Sequence, residues 1–277
     1  MKLSVITINQ NSCKLLKQAL NSIVAAGKHI DYELIAVNNG SVDRSAEMLA
    51  ADFPQAKVIA NETNLGTTHA INQALKFATG EYVLVVSPDM LSNKDSLEKM
   101  VAFMDEHNDV GGLAVRMLSP KGRFLPESIH GLTTSWAAFL KLIGFAKNLP
   151  KTRLYDRNRK DWVEEFQIAE IDILNAGCML LRRSVLNATG EFDERFVMFG
   201  HNVDMSYRIR LAGYKNYYFP KTYFINFESQ PFRKMSWAYV KYYYGAMVSF
   251  AIKYLFKMPE IKVTGIPALA GHSYEVK

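Results

Sequence analysis

The chain is poor in cysteine, with two in 277 residues, Cys13 and Cys178, and no C-x-x-C pair. That excludes a zinc ribbon and a disulfide framework and points to a reducing compartment. No apolar run reaches the roughly 18 residues that a membrane-spanning helix needs. The basic residues form no single long run and no nucleic-acid-binding signature is present, so nucleic acid is not an expected partner. There is no internal repeat and no low-complexity segment. The opening residues, MKLSVITINQ, are too short and too polar for a signal peptide, and the expected location is cytoplasmic.

Hydrophobic residues make up 49% and charged residues 22%, enough for one large core with an elaborated C-terminal part. The net charge of +6 suits anionic ligands or an anionic membrane surface, and charge alone does not choose between them.

Leu3–Ile8 is rich in β-branched residues and predicts a buried strand. A helix follows, capped by Asn11 or Ser12, with Leu16, Leu20, Ile23 and Val24 at helical spacing and Gly27 at its close. The alternation continues with strand Glu33–Val37, a helix from Ser45, strand Ala56–Ala60, a helix from Thr67 or Thr68, strand Tyr82–Val86 and a helix from Asp95. Four strand–helix units in succession predict an open, mainly parallel α/β sheet. Ligands bind such sheets beyond the carboxyl ends of the strands, where Asn38–Ser41 and Ser87–Asp89 fall. After strand Leu113–Leu118 the rhythm changes. Residues 123–170 are mixed and include a basic stretch, Lys147–Lys160. Strands are expected at Ile171–Leu174, Met179–Leu181, Tyr217–Phe219 and Tyr223–Phe227, with helices over Asn202–Leu211 and residues 235–256.

Several loops carry chemistry. Asn38-Asn39-Gly40-Ser41 offers amides and a hydroxyl to a base or ribose, with Gly40 allowing close approach; a tight turn with a helix cap uses the same residues. Asp89 suits a divalent cation that neutralises a diphosphate; it could also cap a turn, but the wholly apolar strand before it aims this one acid at the ligand edge and favours the cation. Asp172 and the small residues around Gly177 suit either a pocket floor or core packing. His201-Asn202-Val203-Asp204 opens a helix, where Asp204 can cap or pair with Arg208 four residues on, and His201 is a base in principle. Trp237, Tyr239 and lysines 241, 253 and 257 give an aromatic and basic helix that either packs on the core or lies at a membrane interface.

Six segments in order resemble the family 2 glycosyltransferases of GT-A fold, especially their bacterial rhamnosyltransferase-like branch. They are SVITINQN near the N-terminus, VNNGSVD at 37–43, NETNLG at 61–66, GEYVLVVSPD at 80–89, AGCMLLRRSVL at 176–186 and GEFDERFVMFGHNVDMSYRIRLAGY at 190–214. FLPESIHGLTTSW at 124–136 resembles a branch-specific feature. The resemblance implies a GT-A domain over residues 1–230, with 123–170 an acceptor-side insertion, and a C-terminal helical extension over 231–277. It implies a nucleotide-sugar donor, Mn²⁺ or Mg²⁺, and an inverting transfer to a glycan or lipid-linked acceptor in cell-surface polysaccharide assembly. Ile8, Asn38, Ser41, Gly66, Ser87 and Asp89 would then bind the nucleotide sugar, with Asp89 also the metal ligand. Asp172, Gly177 and Asp193 would lie on the acceptor side, and His201, Asn202 and Asp204 at the catalytic position. Independently of the resemblance, the aromatic and basic C-terminal helix offers a surface for peripheral contact with the inner membrane face or for a homodimer.

Departures accompany the resemblance. The family's usual loop Asp is Asn38, its usual NPD or DxD is Ser87-Pro88-Asp89, and its usual Glu-Asp pair is His201-Asn202. An amide takes no proton at neutral pH, and losing a general base costs roughly 10²–10⁴-fold in rate. Two readings stand: an active transferase with His201 or Asp204 as an unusual base, and an impaired homologue that binds nucleotide, glycan or a partner subunit.

Overall fold

The computed structural model describes residues 1–130, 165–227 and 237–255. Strands β1 (Leu3–Asn9), β2 (Tyr32–Asn39), β3 (Lys57–Asn61) and β4 (Tyr82–Val86) run parallel in the order β3-β2-β1-β4. Helices α1 (Cys13–Ala26), α2 (Ser45–Asp52) and α3 (Thr67–Leu75) connect them. Side chains along β4 alternate between two cores: Tyr82, Leu84 and Val86 face the cluster containing Leu16, Leu20, Leu49 and Leu97, while Val83 and Val85 face Ile6, Ile35, Ala70 and Ile71. Helices on both faces therefore require the near-continuous apolar runs seen in the sequence. Leu3 lies opposite both Tyr32 and Tyr82, so the strands start level and their polar exits gather on one edge.

The second half makes the sheet mixed. It supplies β5 (Met90–Ser92), α4 (Ser96–Glu106), β6 (Val110–Leu118), α5 (Glu127–His130), β7 (Ala169–Ile171), β8 (Cys178–Arg182), α6 (Arg183–Thr189), α7 (His201–Leu211), β9 (Lys215–Asn226) and α8 (Trp237–Leu255). The sheet continues β4-β8-β6-β9-β5, with β7 also on β9; β8 is antiparallel to β4 and β6, and β5 and β7 are antiparallel to β9. The expected α/β architecture, a sheet flanked by helices with a parallel first half, is present.

Two expected strands, Tyr217–Phe219 and Tyr223–Phe227, are one. Pro220 interrupts the pattern but not the strand, because the ladder slips between Val115↔Phe219 and Arg116↔Tyr223 and leaves Pro220 at an irregularity. β5 and α6 are additional to the expected elements; each is short, and three residues such as Met-Leu-Ser carry no period to detect. Most of the expected acceptor-side insertion, including Lys147–Lys160, and residues 256–277 lie outside the described residues. Helix α8 packs Tyr243, Met247, Phe250 and Tyr254 against Phe196, Val203 and Tyr207, forming a third cluster beside α7.

Candidate active site

A cleft of about 1000 Å³ opens at the carboxyl edge of the parallel strands. Its walls are Ile8 and Gln10–Leu15 after β1, Asn39, Asp43 and Arg44 after β2, Asn64 and Thr67 before α3, Val85–Asp89 at the end of β4, Ala176 and Gly177 before β8, and Met198, Phe199 and His201 at the start of α7. Ile8, Ser87, Asp89, Gly177 and His201 are thus brought together. Asn38, Ser41, Gly66, Asp172, Asp193, Asn202 and Asp204 are not among the lining residues.

Polar residues hold the nucleotide-side loops to one another. Asn9 donates from Nδ2 to Ser45 Oγ (2.8 Å) and Ser41 Oγ (3.1 Å), and more weakly to Asn38 Oδ1 (3.4 Å). Asp43 accepts from the backbone N–H of Cys13 (2.9 Å) and of Ser45 (3.1 Å), tying the β1 and β2 exits together. Burial alone would raise the Asp43 carboxyl, and the bonds from Ser45 and Cys13 outweigh it and hold it below the usual carboxylate range. Asn39 accepts from Leu65 N–H (3.1 Å) and Asn61 Nδ2 (3.0 Å) and donates to Asn64 Oδ1 (2.9 Å). Gly40 has φ +69°, and a Cβ there would lie 2.4 Å from Asn64 N, so its glycine makes room for the Thr63–Asn64 backbone rather than for a ligand.

Asp89 is buried but opens into the cleft. Its turn is fixed on both sides: Ser87 N–H donates to Gly177 O (2.9 Å), and Phe227 N–H, just past β9, donates to Asp89 O (3.0 Å). The described residues hold no cluster of three or more His, Cys, Asp or Glu side chains that could cage a metal. One carboxylate at a strand end does fit a cation of the Mg²⁺ type, which is commonly held by one or two carboxylates together with substrate phosphates.

At α7 the predicted residues separate. Asn202 is buried and donates from Nδ2 to Leu174 O (2.8 Å). Asp204 is fully buried beneath α8, not in the cleft: Arg208 Nε (2.8 Å), Lys253 Nζ (2.5 Å) and Tyr254 Oη (2.5 Å) all bond it. The four-residue pairing with Arg208 is present, and Asp204 is not among the residues that line the cleft. Asp193 likewise bonds Arg195 and Lys253 Nζ (2.8 Å). Burial would raise its carboxyl, but these two cations hold it well below the usual range. Asp172 is paired with Arg210. Both acids are therefore placed in ion pairs away from the cleft lining. Asn11 and Phe199 were not anticipated as cleft residues, whereas Asp43 and Asn64 fall in the VNNGSVD and NETNLG segments. Asn11 was legible only as a cap, although its positive φ of 52° marks a specialised turn.

His201 is the α7 residue that reaches the cleft. Its Nδ1 is buried without a hydrogen-bond partner among the described residues. Burial lowers its pKa to about 4, against the opposing effects of a bond to the Met198 backbone and the Asp204 charge. The fold therefore holds a neutral ring. An unfolded chain takes up this proton near pH ~6.5. This stability contribution is complete above that pH and falls until the folded group itself protonates near pH about 4. A loss of about 3 kcal/mol across that window is expected for the wild type. Denaturant midpoints measured from pH 7 to 4 should show it, and His201→Phe should flatten that part of the curve.

With this geometry established, comparison with known proteins is decisive for the class. The model of glycosyl transferase family 2 matches residues 4–190, and the chain belongs to that family. It is 24% identical over 230 residues, 79% of this chain and 73% of the relative, to N-acetylglucosaminyl-diphospho-decaprenol L-rhamnosyltransferase of Mycobacterium tuberculosis. It is 36% identical over 134 residues to poly(ribitol-phosphate) beta-N-acetylglucosaminyltransferase TarS of Staphylococcus aureus, covering 47% of this chain and 23% of that protein. The crystal structure of S. aureus TarS 1-349 with UDP-GlcNAc shares the fold at TM-score 0.62 and 22% identity, over 91% of this chain and 67% of that one. The mannosyltransferase PcManGT from Pyrobaculum calidifontis, in complex with GDP-Man and Mn²⁺, shares it at TM-score 0.57 and 18% identity, over 83% and 58%.

Proposed function

We propose that the cleft binds a nucleoside-diphosphate sugar and that the chain transfers the sugar, with inversion, to a glycan or lipid-linked acceptor in cell-surface polysaccharide assembly. One observation carries this reading: a single cleft joins Asp89 to the amide-rich exits of β1 and β2 and to His201 on α7. The rhamnosyltransferase relative is named for a diphospho-decaprenol acceptor, which supports a lipid-linked substrate. Asp89 would hold Mn²⁺ or Mg²⁺ together with the donor diphosphate; the ion would neutralise the leaving group's charge. The β1 and β2 exit loops, tied by Asn9, Asp43 and Asn39, orient the nucleoside. In an inverting transfer a base takes the acceptor hydroxyl proton as its oxygen attacks the anomeric carbon opposite the departing diphosphate. His201, which lines the cleft and whose buried Nδ1 has no hydrogen-bond partner among the described residues, would be that base.

The second reading, a homologue that binds donor or glycan without efficient turnover, draws on the low basicity of that ring and on Asn202. The test is sugar transfer and thermal stabilisation with UDP-, GDP- and dTDP-sugars plus Mn²⁺ or Mg²⁺. Turnover lost in His201→Ala supports the first reading. Donor-dependent stabilisation without turnover selects the second. Neither signal with any donor sinks the first reading and the donor-binding form of the second.

Asn202→Asp offers a separate check. A carboxylate cannot donate to the Leu174 carbonyl, so this change is expected to destabilise the fold by about 1–3 kcal/mol rather than to restore a base. Unchanged denaturant stability with at least tenfold faster transfer would instead show a base site that had merely lost its acid.

A further inference from the structure

Helix α8 has two faces of different kinds. Tyr243, Ala246, Met247, Phe250 and Tyr254 are buried in the cluster shared with α7. The opposite face carries Trp237 (82% exposed), Tyr244 (53%), Val248 (55%) and Ile252 (52%), which with Lys241 fall at successive spacings of four, three, four and four residues. That spacing forms one continuous stripe along the helix. No helix among the described residues is long and apolar enough to cross a membrane, so the stripe is suited to lying on a surface.

We propose that this stripe docks the protein in the plane of an anionic lipid bilayer. Charge selects that occupant over a second copy of the chain. The helix Trp237–Leu255 contains no Asp or Glu, Lys241 sits within the stripe, and Arg233, Lys234 and Lys257 flank it in the sequence. Two such helices face to face bring lysines together with no acid to pair them, whereas anionic headgroups supply the missing charge. Trp237 and Tyr244 are of the type that sits at headgroup level, and Lys241 can extend its amine outward while its stem stays among the apolar side chains.

The inner face of the same helix supports the cleft. Phe199, a lining residue, meets the rings of Tyr239 at 5.5 Å and Tyr243 at 5.4 Å. Docking through the outer face therefore holds the bilayer and the α7 wall on opposite sides of one helix, which favours an acceptor carried on a lipid. That consequence rests on the sugar-transfer reading above; the lipid contact itself does not.

The experiment is co-sedimentation of the full chain with vesicles, without donor or acceptor, so that failure here is distinguishable from failure of the sugar-transfer reading. Phosphatidylcholine vesicles with about one third phosphatidylglycerol are compared with phosphatidylcholine alone. Preferential binding to the anionic vesicles is expected, weakening with salt. The triple variant Trp237→Ser, Val248→Ser, Ile252→Ser should lower partitioning at least about tenfold, and Lys241→Glu should lower it on anionic vesicles alone. Thermal midpoints matching wild type confirm that these exposed changes leave the fold intact. Equal binding by wild type and the Lys241→Glu variant overturns the proposal. So does a concentration-dependent dimer that the triple variant abolishes while vesicles bind neither protein.

Discussion

Asp204→Ala is expected to lower unfolding free energy by about 3–5 kcal/mol, the cost of breaking a buried ion pair from one side. Asp204 is fully buried, and its carboxylate is shared by Arg208, Lys253 and Tyr254. Among the described residues, removing it leaves Arg208 its hydrogen bonds to Thr189 O (2.6 Å) and Gly190 O (3.2 Å), and leaves Lys253 its bond to Asp193 (2.8 Å). Burial pushes the Tyr254 phenol upward and the Asp204 charge adds to it, so that hydroxyl stays protonated and donating. The thermal midpoint should fall by on the order of 10 °C. The double change Asp204→Ala, Lys253→Met should cost less than the sum of the single ones, because it removes the stranded ammonium with its partner. Additive costs would show that the contact is not energetically coupled. Since Lys253 belongs to α8 and Asp204 to α7, the same cycle measures how firmly the C-terminal helix is fastened to the domain.

Asp89→Ala is expected to reduce metal-dependent sugar transfer by about 10²–10³-fold, the effect typical of losing one preorganised electrostatic contact at a site of developing charge. Asp89 lies at the mouth of the wholly buried β4 and is the acid that the strand delivers to the cleft. Its turn is secured by backbone bonds from Ser87 to Gly177 and from Phe227 to Asp89, which the substitution leaves in place. Those backbone bonds should keep the turn in place, while Mn²⁺-dependent stabilisation by donor disappears. A variant that keeps both donor stabilisation and turnover would remove Asp89 from the binding role. The loss should appear at every donor concentration tested, because a cation held by Asp89 would act on the leaving group as well as on binding.

Most of the architecture was legible because it is local. The apolar run Tyr82–Val86 coincides with β4, and the helical spacing of Leu16, Leu20 and Ile23 describes the buried face of α1. What misled was also local: Pro220 read as a break, yet the strand passes through it by slipping register against β6. At the site the division is sharper. Asp89 was identifiable because an acid ending an all-apolar strand has one place to go. Asn38 and Asn39 are neighbours of the same chemistry, and nothing in their order tells that Asn39 lines the cleft while Asn38 lies inside, beside Asn9. The role of Gly40 was likewise hidden, since the backbone it accommodates is Thr63–Asn64 on a different loop.

The segment from Gly190 to Tyr214 shows where local information ends. Its residues specify a helix and a four-residue ion pair from Asp204 to Arg208. They cannot specify that Asp204 faces Lys253, forty-nine residues on, or that His201 rather than its acidic neighbours reaches the cleft. Periodicity and capping act over a few residues and are readable in order along the chain. Ion pairing and burial depend on which distant elements pack together, and it is the seating of α8 on α7 that ties Asp204 to Lys253 and Tyr254 while His201 lines the cleft.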